Sequence, residues 1–197
     1  MPVLWLFLIV LALAAIGFIA GRMRVTSAGG ERPHSLPNYY GWNVAMKVMV
    51  PAYLALVVWL LAQPFLVNSQ VVGMLGDRAV PDGSTIGLVM SDVRRVADGL
   101  DATVAQGLMT SEEANSIRTE FTDVRDRLGE AGVALGSNVS SEVLSAAQTY
   151  RTLNATGNFW MSTVVILLAV GGLAWGITQS HGSFRARNSV ETGVRMI

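Results

Sequence analysis

Three long stretches of the chain, 2–20, 48–67 and 159–178, contain no charged side chain. Each is about as long as a helix must be, at ~1.5 Å per residue, to cross a hydrocarbon core of ~30 Å. The pattern therefore predicts three transmembrane helices. From Ser84 the pattern changes. Ile86, Val89, Val93, Val96, Leu100, Val104 and Leu108 recur in steps of three and four, the seam of an amphipathic helix. Asp92, Arg94, Arg95, Asp98 and Asp101 fall mostly on its wet side. Gly107 to Thr110 ends that helix, and Ser111 followed by Glu112 and Glu113 reads as a hydroxyl cap with acids in the first turn. The second helix sets Ala114, Ile117, Phe121, Val124 and Leu128 on one face and loosens at Gly129 and Gly132. A third begins near Ser140, carries Val143, Ala147, Tyr150 and Leu153, and runs almost directly into the last apolar stretch. Pro81, Asp82 and Gly83 mark a turn, whereas 68–80 has no clean period and reads as loop or a short helix. The expected fold class is all-α: three transmembrane helices with an extracytoplasmic antiparallel helical bundle between the second and third.

Charge sets the expected orientation. Loop 21–47 holds Arg22, Arg24, Arg32 and Lys47 against Glu31, and tail 179–197 holds Arg185, Arg187 and Arg195 against Glu191. Segment 68–158 has seven arginines, twelve acids and no lysine, a net of −5. Basic short loops stay in the cytoplasm, so the expected order is N-terminus out, loop in, domain out, C-terminus in. No basic residue precedes the first apolar stretch and two follow it, which predicts an uncleaved anchor rather than a signal peptide. Three regions result: a membrane hairpin at 1–67, a periplasmic helical domain at 68–158, and a third span with its tail at 159–197. Tyr39, Tyr40 and Trp42 before the second span, and Trp160 and Trp175 near the ends of the third, are expected at the membrane interface, where amphipathic rings are favoured.

Candidate chemistry is sparse. There is no cysteine, so disulfides and thiolate sites are excluded. His34 and His181 have no neighbours at metal-ligand spacing. Acids at 92, 98 and 101 and at 120, 123 and 126 are interleaved with arginines, the pattern of a solvated helix face. No nucleophile, base or metal constellation assembles; the expectation is a protein that is not an enzyme, has no cofactor and binds no nucleic acid. No ionisable side chain lies mid-span, which argues against an ion path within this chain. Gly17 with Gly21 and Gly172 with Gly176 have the GxxxG spacing that allows close helix crossing. Pro64 is expected to kink or end the second span, and Gln63 to reach the outer interface or to bond a neighbouring helix, the interface being favoured.

The opening MPVLWLF at 1–7, HSLPNYYGWN at 34–43 and FRARN at 184–188 resemble the N-terminal extension of bacterial phosphate ABC transporter permeases of the PstC type. The likeness covers essentially the whole chain, with 34–43 its most specific part. It implies a non-catalytic, multi-pass module of a bacterial inner membrane that precedes the transport core and does not contain it. Implied partners are membrane lipid, the partner permease and ATPase of an importer, and a periplasmic phosphate-binding protein. Two other classes suit the same pattern: an accessory subunit of another large membrane complex, photosynthetic or respiratory, and a membrane sensor module.

Overall fold

The computed structural model describes residues 3–27, 36–75, 85–118, 126, 128, 129, 132, 139–180, 190–192, 194 and 195. Among these, every regular element is helical. The principal helices are α1 (Val3–Ser27), α2 (Pro37–Leu75), α3 (Ile86–Ala105), α4 (Ser111–Ser116) and α5 (Ser141–Gln179). Three of them, α1, α2 and α5, are long and apolar enough to cross a membrane. The turn expected at Pro81 and the two histidines lie outside the described residues.

Two helices are far longer than a span. α2 and α5 have 39 residues each, or ~58 Å of helix. Asn68, Ser69 and Gln70, which lie where the sequence suggests loop or a short helix, continue α2 without a break, and Pro64 does not end it. Helix nucleation is the unfavourable step and extension adds one hydrogen bond per residue. A span that must be helical therefore carries a polar extension with it, and the extension here places Val67, Val71 and Leu75 on one buried face. The same holds at the start of α5, where Asn154 to Gly157 lie within the helix.

The chain divides into two compact units, 1–61 with 158–197, and 62–157. In the first, each helix contributes a row of buried residues four apart: Leu6, Val10 and Ala14 on α1, Val48, Ala52 and Leu56 on α2, and Met161, Val165 and Ala169 on α5. Such rows form the ridges that interlock between helices. The outward faces are apolar too, with Leu4, Leu54, Leu61 and Leu167 all well exposed. A helix group that is apolar both inside and out suits lipid.

The second unit is built on amphipathic pattern. Val89, Val93, Val96 and Leu100 of α3 are buried, while Asp92, Arg94, Arg95 and Asp98 are exposed. They share one cluster with Val71 of α2, Ala114 of α4, Leu128, and Leu144 and Ala147 of α5. α3 ends at Ala105, and Gly107 turns the chain away with φ +74°, a conformation that suits a residue without Cβ. The cap of α4 is Thr110, one residue before the expected Ser111. Its hydroxyl accepts from the Glu113 amide at 3.2 Å while the Glu113 carboxylate accepts from the Thr110 amide at 2.7 Å, a reciprocal capping box. α4 stops at Ser116, because Ile117 is extended at φ −59° and ψ 140°. The helix expected to continue to Leu128 is therefore broken there; Phe121 and Val124 lie outside the described residues.

Candidate functional site

Close approach of backbones organises the membrane unit. A Cβ built on Gly21 would stand 2.9 Å from the Tyr40 carbonyl oxygen, and one on Gly17 would stand 2.9 Å from a Val44 methyl. Gly41 on α2 meets Phe18 in the same way, and a Cβ built on it would stand 2.7 Å from the Phe18 carbonyl oxygen. From α5, a Cβ on Gly172 would collide with the Lys47 carbonyl oxygen, and one on Gly176 would lie 3.0 Å from Val44 Cα. All four GxxxG glycines thus stand where two helices meet, and α2 receives both pairs. Gly171, beside Gly172, has open space where its side chain would be. Register numbers rise on one helix as they fall on the other, so α2 runs antiparallel to both α1 and α5 within this unit.

The aromatic residues divide. Trp42, Trp160 and Trp175 are exposed, as rings at a lipid headgroup level would be. Tyr40 differs: its ring is fully buried beside Val25 and Tyr39, so it packs within the protein and does not face outward as an anchor. Trp42 also meets Phe18 edge-on at 5.4 Å.

One charged group escaped the sequence reading except as a count. Lys47 Nζ lies 5.0 Å from the centre of the Trp175 ring and donates to Gln179 Oε1. A cation over an indole face is attracted by the ring quadrupole, and the end of a helix, where Gln179 sits, favours positive charge. Beside Lys47 is a concave groove of about 1040 Å³, bordered by α2, α5 and Val190 and almost wholly apolar. Its lining includes Asn43 and Trp175 near Lys47, and Leu54 and Leu167 farther along.

The 62–157 unit holds a second unforeseen polar group. Arg151 is buried; its Nε donates to Asp101 at 2.7 Å and its Nη1 to Asn115 Oδ1 at 2.6 Å. Three helices, α3, α4 and α5, are joined by that one guanidinium. Gln148, one turn earlier, donates to the Ala114 and Ile117 carbonyls at 3.2 and 2.9 Å, satisfying acceptors that the short α4 leaves open at its end. The signal was present: Leu144, Ala147 and Arg151 follow one another at three and four, so the arginine falls on the apolar stripe. Gln63 bonds a neighbouring helix, donating to Asn154 Oδ1 at 3.2 Å. Among the described residues no group of three His, Asp or Glu side chains is placed to hold a metal ion.

No curated protein and no solved structure matches the chain. A family model does match, over residues 7–174, and that family is described as phosphate ATP-binding cassette transporter. The matched stretch takes in most of α1, all of α2 to α4, and α5 as far as Ala174, past Gly172 but short of Gly176. The chain therefore belongs to this phosphate ATP-binding cassette transporter family.

Proposed function

We propose that the chain is the N-terminal membrane module of a phosphate ABC importer permease of the PstC type, with no catalysis of its own. The family match over 7–174 carries this reading. Three apolar helices suit a permease component, and loop and tail arginines favour the cytoplasm for 21–47 and 179–197. In that topology the 62–157 unit lies in the periplasm of an inner-membrane protein as an antiparallel helical bundle. There it would adjoin the surface where a periplasmic phosphate-binding protein docks. The two glycine pairs and the exposed Trp42, Trp160 and Trp175 are assigned to helix packing and to interface anchoring respectively. Purification of the tagged protein from its own membranes in mild detergent tests the assignment. Recovery together with an importer ATPase and a second permease is the expected result. Recovery with an unrelated membrane complex instead would overturn it and make the chain an accessory subunit of that complex.

A further inference from the structure

We propose that the groove beside Lys47 is a binding site for one anionic phospholipid, with the phosphate at Lys47 and an acyl chain along α2 and α5. The site's polarity is one-ended. At one end stand the Lys47 ammonium, the Asn43 amide and the Trp175 indole; toward the other, the lining is apolar, as at Leu54 and Leu167, with the Tyr53 ring beside them. This is the polarity of an amphiphile lying parallel to the helices.

Length argues in the same direction. From Asn43 to Leu54 the groove follows eleven residue steps of α2, ~16 Å. That is about half of a ~30 Å hydrocarbon core, the depth of one leaflet. A transmembrane helix of a partner would lie against the protein through both leaflets and would have no need of a cation at one end. The cation is also fixed in place. Lys47 is held by Gln179 and by the Trp175 face, so a phosphate meets a charge that is already positioned. Basic pockets between membrane helices are a recognised setting for anionic headgroups. Under the proposed topology the site opens to the cytoplasmic leaflet; the lipid assignment itself needs only that α2 and α5 span a membrane.

Two substitutions separate head from tail. Lys47→Gln removes the charge while keeping a polar side chain. Gly171→Phe fills the groove, and the space at Gly171 is open, with no heavy atom within 4 Å of an added Cβ. The purified full chain, without importer subunits, is titrated in detergent with phosphatidylglycerol or with phosphatidylcholine of the same acyl chains, and bound lipid is counted by native mass spectrometry. The wild-type protein is expected to prefer phosphatidylglycerol roughly fivefold, the size of effect of one lysine near an anionic surface. Lys47→Gln is expected to equalise the two lipids, and Gly171→Phe to abolish retention of both. Equal binding of both lipids by the wild type, or a preference unchanged in Lys47→Gln, would overturn the proposal. So would a photo-crosslinker at Leu167 that captures a polypeptide in native membranes. Because the titration uses the chain alone, its failure leaves the importer assignment standing, and the reverse is equally true.

Discussion

In the membrane unit the buried rows are narrow: Val, Ala and Gly predominate, and backbones touch at Gly172 and Gly21. In the 62–157 unit Gly73, Gly129 and Gly132 have open space where a Cβ would stand, and Gly157 faces the Gln63 side chain. There the buried residues are mainly branched aliphatics on helices whose other face is charged, and the joints are made by side chains, Arg151 and Gln148 above all. The difference follows from solvent. Against water, burying apolar area is itself favourable, so a unit with charged outer faces coheres even where its helices stand well apart. Against lipid, an apolar side chain gains little by changing neighbours, and association depends on close van der Waals packing. Close backbone contact serves the second situation, and burial of side chains against water the first.

The sharpest way to break this comparison is to put a side chain where backbones meet. Gly172→Leu must displace the Lys47 carbonyl and Val48 Cα, neither of which can rotate away. We expect a loss of about 3 kcal/mol or more, at or beyond the upper end of overpacking costs. Hydrogen exchange followed segment by segment should show α1 and the 37–61 part of α2 losing protection while α3 keeps it. Loss of protection confined to α3 would invert the argument.

A pair of equal truncations sharpens it further. Leu100 and Leu6 are both fully buried, one in each unit. Leu100→Ala should cost about 2–4 kcal/mol, the sum of lost transfer energy and a cavity. Leu6→Ala forfeits packing but little transfer energy, since lipid is as apolar as the site it leaves, and about 1 kcal/mol is expected. Thermal unfolding in detergent with exchange as the local readout measures both. Equal losses would show that detergent-facing and water-facing cores draw on the same driving force.

What the sequence disclosed follows the same division. The three spans were legible because a run without charge has few alternatives. The face of α3 was legible because water and core sort its residues at helical spacing, and the structure buries Val89, Val93, Val96 and Leu100 as that spacing requires. The ends of elements were not. Asn68 to Gln70 have no clean period, which leaves loop and short helix equally open, and they are helical because a span is already wound before them. α4 was expected to run on through Ile117, and an extended backbone there cuts it short. Side chains whose meaning depends on a distant partner were also hidden. Lys47 and Gln179 are 132 positions apart, and Arg151 and Asp101 are 50 apart. Neither pairing has a local signature beyond a charge at an unexpected place on a stripe.

The Arg151 joint yields the smallest of the expected effects and the most specific one. Its two partners are unequal: the Arg151 side chain is 7% exposed and that of Asp101 is 65% exposed. Removing the arginine leaves a carboxylate that water can solvate, whereas removing the aspartate leaves a buried cation with Asn115 as a neutral partner. A buried charge deprived of its counter-charge is what makes broken pairs expensive. Asp101→Ala should therefore destabilise the unit by about 2 kcal/mol, and Arg151→Met, which keeps much of the apolar stem, by about 1 kcal/mol. The order matters more than the size, because a surface ion pair of low worth would give two small and equal values. If Arg151→Met proves the more damaging of the two, the guanidinium is valuable for its bond to Asn115 and its packing across three helices, and its charge is incidental.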